Sequence, residues 1–343
     1  VQPGTPSLFE VFDFIFFCSF SNFVTIFLIF CYNNIKNIKL KGKRSEMEKN
    51  YFKSFDEKEI PYLFFKSSRK DTSNNGISCQ GSVEPMYRYE EFGNFLSVNG
   101  YNVYVMELRG HGELKEGVYG DFGEKGITGI FDDIKIFFET LVSEKGINRN
   151  NTVIFGHSMG SLIATRLMIE IKFKNLIISG FTIYKQATAF TGKILTYLER
   201  MLIFKKKSTF NGKFKKYNMS FSPIYTKYDW LTRDINEARK YSEDVNCGYA
   251  VTPKFFTGIF QMMSYINKNY KKIEKDARIL TVYGTEDKSM DIGHVNNILS
   301  KLRKKKRRIN VVANENGRHE SLNEINKYII YDEILKWMNE IMK

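Results

Sequence analysis

Five consecutive residues carry the strongest chemical signal in this chain. They are Gly156-His157-Ser158-Met159-Gly160, a G-x-S-x-G pattern inside NTVIFGHSMGSLIAT. The apolar run before them reads as a strand and the run after them as a helix, so Ser158 stands at the apex of a strand-to-helix turn. A turn this tight strains its apical residue and leaves no room for side chains two positions away, hence Gly156 and Gly160. The serine hydroxyl is pushed into the cleft at the strand ends, and the following helix aims its positive N-terminal end at the same place. That is the setting of a serine nucleophile. The competing reading is a glycine-rich turn with an idle serine.

A serine hydroxyl needs a base, and the chain has four histidines. His157 neighbours the nucleophile on the turn and cannot face its hydroxyl. His111, in RGHG, precedes the serine in the chain. His294 starts or rides a later helix. His319 sits in NENGRHESLNE, a polar loop between a strand and the last helix, where catalytic residues gather in parallel sheets. It is the expected base. The base needs an acid to hold its tautomer. RILTVYGTEDK puts Asp287 in a short loop after a strand, with Asp291 in reserve and Glu286 pointing elsewhere. The order Ser158, Asp287, His319 is that of α/β hydrolases.

These residues must be positioned by strands alternating with helices. Strand-like runs lie at 101–107, 151–155, 175–179, 278–283 and 309–312. Helical spacing appears at 128–143, 159–171 and 324–342. The expectation is a mostly parallel central sheet flanked by helices, over residues 50–343. Residues 181–250 break the rhythm between two sheet strands and read as a helical cap inserted over one sheet end.

The chain has 343 residues, enough for a full core, with 43% hydrophobic and 26% charged residues, which excludes wholesale disorder. Four cysteines and no CxxC pair exclude a disulfide scaffold or zinc ribbon. The net charge of +14 favours anionic surfaces without naming one. Residues 14–32 are uncharged and as long as a bilayer core, followed by Lys36, Lys39, Lys41, Lys43 and Arg44. Residues 1–49 therefore read as a membrane anchor with a basic linker, leaving the rest cytosolic. The alternative is a gene-model artefact with Met47 as the true start, in which case the protein is cytoplasmic.

GHSMGS, the RGHG loop, GTED and GRHESLNE together resemble the monoacylglycerol lipase/lysophospholipase family of α/β hydrolases. The chain is especially similar to the lysophospholipase-like branch of malaria parasites. The likeness runs from about residue 80 to the C-terminus, with DWLTRD at 229–234 similar to the family's cap-exit segment. It implies the α/β-hydrolase fold, Ser158 as nucleophile, Asp287 as acid, His319 as base, an acyl pocket under the cap and no cofactor. By register with the family's HGxGEHxxRYEE stretch, here QGSVEPMYRYEE, it implies backbone N–H groups of Ser82 and Met159 as oxyanion donors. Gln80 stands where the family has histidine, Pro85 replaces a second one, and the preceding SNNGISC lacks a solid apolar run, which puts efficiency in question.

The expected reaction is hydrolysis of a monoacyl lipid ester, a lysophospholipid or monoacylglycerol, through an acyl-serine. Two alternatives stand: an esterase, thioesterase or aminopeptidase on the same fold, or a weakly catalytic lipid binder at a membrane. The run Ile194, Leu195, Tyr197, Leu198, Met201, Leu202, Ile203 and Phe204 either lines an acyl tunnel, dips into a membrane or packs on the sheet. Lys205–Lys207, Lys213, Lys215, Lys216 and RKKKRR at 303–308 suit an anionic membrane surface. No nucleic-acid motif accompanies them.

Overall fold

The computed structural model describes residues 46–69, 74–115, 119–202 and 207–343. The segment 14–32 lies outside them. Among the described residues no helix is long and apolar enough to cross a membrane.

The strands are β1 (Met47–Lys53), β2 (Glu59–Phe65), β3 (Asn75–Cys79), β4 (Asn102–Met106), β5 (Thr152–His157), β6 (Asn175–Ser179), β7 (Arg278–Gly284) and β8 (Arg308–Asn314). They form one sheet in the order β1-β2-β4-β3-β5-β6-β7-β8. β2 pairs antiparallel with β1 and β4, and the others pair parallel. The hairpin of β1 and β2 escaped the sequence reading. β3 reads as weak in isolation yet lies fully buried between β4 and β5. A strand with ladders on both sides draws its stability from its neighbours more than from its own apolar content.

Helices cover both faces. α1 (Glu90–Val98) and α9 (Lys327–Ile341) bury Phe92, Leu96, Tyr331, Ile334 and Trp337 on one side. On the other lie α2 (Ile127–Lys145), α3 (Met159–Ile171), α7 (Pro253–Asn269) and α8 (Ile292–Lys304), contributing Phe137, Leu162, Leu167, Phe255 and Leu299.

Between β6 and α7 the chain makes α4 (Gln186–Leu202), α5 (Gly212–Asn218) and α6 (Ile235–Glu243). α4 lies along α7. Its buried side is Ala189, Thr196 and Glu199, with the Thr257 hydroxyl 3.0 Å from that of Thr196. Its apolar residues Phe190, Ile194, Leu195, Tyr197, Leu198 and Met201 face out, Met201 at 57% exposure. The tunnel-lining and sheet-packing readings of this run therefore fail for its described side chains. The small and polar residues make the contact with α7, and the apolar stripe is left over.

Candidate active site

β5 ends at His157 and α3 starts at Met159, leaving Ser158 alone to turn the chain. Ser158 has φ 50° and ψ −115°, a backbone conformation that non-glycine residues rarely adopt. A Cβ on Gly156 would sit 2.2 Å from the Gly160 carbonyl oxygen, and one on Gly160 would sit 2.1 Å from that of Cys79. The two glycines thus let the elbow close on itself and on the end of β3.

β7 and β8 deliver the other two groups. Asp287 follows β7, and its Oδ2 lies 2.7 Å from Nδ1 of His319, which follows β8. Both side chains are buried. Ser289 completes this contact: its N–H and hydroxyl donate to Asp287 Oδ1 at 2.8 and 2.7 Å, and its oxygen lies 2.9 Å from His319 Nδ1. With Nδ1–H facing the carboxylate, Nε2 is left as the basic nitrogen. Burial alone would raise the Asp287 pKa, but the charge and hydrogen bond of His319 outweigh it and hold the carboxyl below its ordinary range. Burial likewise pulls His319 down, while Asp287, Glu320 and Glu84 raise it above 6.5 overall.

Ser158 and His319 line one cleft, together with Ser82, His157, Glu84, Trp230 and Glu320 among others. Asp287 stands behind His319. Met159 is buried at the first position of α3.

The Gln80 departure has a structural answer. Its side-chain amide donates to the Glu84 carbonyl at 2.8 Å, pinning the turn that carries Ser82. Gly81 spends its own N–H on Glu84 Oε1 at 2.7 Å and on the Tyr89 hydroxyl at 3.1 Å. Gly81 and Ser82 both line the cleft, and of the two it is Gly81 whose N–H is already engaged.

The remaining candidates are placed elsewhere. His157 packs its ring 4.8 Å from that of His319 and puts Nδ1 3.2 Å from the Ser179 hydroxyl. Burial, with the charges of His319 and Arg88, keeps it well below its ordinary pKa and therefore neutral. His111 is buried against Arg109 O at 3.0 Å, and burial pushes it down to about 4. His294 rides α8 with Nε2 2.8 Å from Asn267 Oδ1. Asp291, the reserve acid, caps α8 by accepting the His294 N–H at 3.0 Å. Glu286 pairs with Lys288 at 2.6 Å.

Three features escaped the sequence reading. Ser289 was one; an Asp followed two residues on by Ser is a signal for such a turn. Arg88, bridging Glu84 and Glu320, was the second. The third is the clamp between the cap segment and the histidine loop. Glu320 N–H donates to Leu231 O at 2.7 Å, and Arg318 Nη1 donates to Asp229 O at 2.5 Å. Trp230 stacks on the His319 imidazole with centroids 5.1 Å apart.

A mostly parallel eight-stranded sheet with helices on both faces, and a serine elbow at the end of β5 that lines one cleft with the His319 of a buried His–Asp pair, define an α/β hydrolase. The chain belongs to the serine aminopeptidase S33 family, whose model matches residues 76–326. The fold is shared with a thermostable carboxyl esterase from Bacillus coagulans solved with glycerol (19% identity, 87% of this chain and 99% of that one, TM-score 0.75). It is shared too with a monoglyceride lipase from Saccharomyces cerevisiae bound to a substrate analogue (18%, 88% and 97%, 0.66). A monoacylglycerol lipase from Paleococcus ferrophilus also has it (19%, 83% and 100%, 0.63). A 104-residue stretch is 30% identical to multifunctional-autoprocessing repeats-in-toxin proteins of Vibrio cholerae and Vibrio vulnificus, covering 2% of their length.

Proposed function

We propose that this α/β serine hydrolase cleaves the carboxylic ester of monoacyl lipids, a lysophospholipid or monoacylglycerol, through an acyl-enzyme on Ser158. The observation that carries this reading is the buried Asp287–His319 pair at the wall of the cleft that Ser158 enters. His319 Nε2 takes the serine proton, and the alkoxide attacks the ester carbonyl. The N–H groups of Ser82 and Met159 receive the developing oxyanion. His319 then passes the proton to the leaving alcohol. Water repeats the cycle on the acyl-serine and frees the fatty acid.

An aminopeptidase would need a free carboxylate to grip a substrate ammonium. The carboxylates of the cleft, Glu84 and Glu320, are both committed to Arg88. That favours an ester without an α-amine.

The outward apolar face of α4 is the surface we assign to the lipid interface. Lys193 and Arg200 lie on the same helix, and Lys207, Lys215 and Lys216 follow it. The basic residues are not equivalent. Arg307 is buried and donates to the carbonyls of Ile273 and Lys271, so it belongs to the fold. Lys213 packs beside Phe210 with its charge 5.1 Å from the ring.

The purified chain should take a fluorophosphonate label and release fatty acid from monoacylglycerol or lysophosphatidylcholine, and Ser158→Ala should do neither. A folded wild type that neither labels nor turns over favours the lipid binder. Preference for short acyl or thioester substrates favours the general esterase.

A further inference from the structure

Trp230 enters the cleft from the cap segment between α5 and α6, and it is buried to 7% exposure. Its ring stacks with two others, Phe214 (5.6 Å, 15°) and the His319 imidazole (5.1 Å, 27°). Its backbone is fixed as well. The Trp230 N–H donates to Asn218 Oδ1 at 3.0 Å, and its carbonyl accepts from His319 N. Yet the indole Nε1–H, a buried donor, has no partner. Buried N–H groups are nearly always satisfied, and Trp can only donate. The missing partner is therefore an acceptor, and Trp230 is among the residues that line the cleft of Ser158 and His319.

We propose that Trp230 is a specificity-determining residue whose indole Nε1–H donates to an oxygen of the bound substrate's alcohol half. This rests on the ester reading above. The alcohol half is assigned by the stack on His319. That imidazole returns its proton to the leaving oxygen, so the group lying on it borders the alcohol and not the far end of the acyl chain. The acceptor class is a glycerol-type hydroxyl or ether-like oxygen beyond the scissile bond. A site that holds a donor for such an oxygen discriminates against an alcohol lacking it, because the donor is then left buried and unpaired.

The test compares two esters of one acid, 1-monooleoylglycerol and ethyl oleate, on the full chain. Trp230→Phe keeps an aromatic ring for the stack and removes the donor. It should lower kcat/KM for monooleoylglycerol about 10- to 100-fold more than for ethyl oleate, with the difference carried mainly by KM. Replacing Trp230 by benzothienylalanine, which keeps the shape and exchanges N–H for sulfur, should reproduce the split and guards against poor folding of the phenylalanine variant. Equal loss on both esters would mean a packing role alone, and no loss on either would mean no contact; each overturns the proposal. A wild type inactive on both esters would instead overturn the ester reading on which it rests.

Discussion

Glu84 and Glu320 share one guanidinium. Arg88 Nε lies 2.8 Å from Glu84 Oε2, and Arg88 Nη2 donates to Glu320 Oε2. All three side chains are nearly inaccessible to solvent. Glu84 also holds Gly81 N–H, next to the proposed oxyanion donor Ser82, and Glu320 follows His319. One cation therefore ties the turn that receives the oxyanion to the loop that carries the base.

Arg88→Met should leave two like-charged carboxylates buried without a counter-charge. Removing one partner of a buried network costs about 3–5 kcal/mol. The expected outcome is a fall of that size in unfolding free energy by urea titration. In protein that remains folded, kcat should drop by about 10²-fold or more, because Ser82 and His319 lose their common tie.

Asp287→Asn should cut kcat by about 10³–10⁴-fold, through loss of the correct His319 tautomer and of the charge that stabilises the imidazolium. The pH profile gives a second reading. Activity requires neutral His319, whose pKa lies above 6.5, so wild-type activity falls on acidification through a value above 6.5. Without the Asp287 charge, burial pulls that pKa down. The acid limb of the residual activity should move to lower pH, which rate measurements across pH 5–9 will show.

Glu107 is fully buried beside Gln80, and burial raises its carboxyl to about 7. The folded state therefore keeps this proton while the unfolded chain, near 4.5, has lost it. Stability attributable to Glu107 is fully present below pH 4.5 and declines as pH rises to about 7, by an order of 3 kcal/mol for a shift of this size. Glu107→Gln removes that titration. The difference in unfolding free energy between variant and wild type should shift in the variant's favour from pH 4.5 to 7 and then level off. A constant difference across that window would contradict it.

Gly160→Ala would place a methyl 2.1 Å from the carbonyl oxygen of Cys79 and 2.5 Å from that of Gln80. Neither backbone group can step aside without moving the strand end that leads to Ser82. Overpacking of this kind costs about 1–3 kcal/mol. Thermal unfolding should register that loss, and the distorted elbow should lower activity further than stability alone explains.

Leu195→Glu together with Met201→Glu would place two carboxylates on the outward apolar stripe of α4, where both positions are about half exposed. Binding to anionic lipid vesicles in a sedimentation assay should fall at least about tenfold. Hydrolysis of a water-soluble short-chain ester should be unchanged, since neither residue lines the cleft. Unaltered vesicle binding would remove α4 from the proposed interface.

The amino-acid sequence by itself determined the elements whose signals are local. The helix 159–171 and the strand 175–179 stand where periodicity puts them. Ser158 was legible because strand, tight turn and flanking glycines are all consecutive in the chain. Asp287 and His319 could be chosen from few candidates, and their positions after parallel strands favoured them. What the sequence could not settle was whatever depends on partners far away in the chain. β3 is short and only partly apolar, and its central place comes from pairing with β4 and β5. The apolar run of α4 carries the same composition whether it faces a tunnel, the sheet or solvent. Only its packing through Ala189, Gly192 and Thr196 against α7 turned that stripe outward. The contact of Trp230 with His319, and the guanidinium shared by Glu84 and Glu320, join segments 89 and 232 residues apart. Local propensity holds no record of such contacts. They arise when the sheet brings its strand ends together and the cap segment pairs with the loop that bears the base.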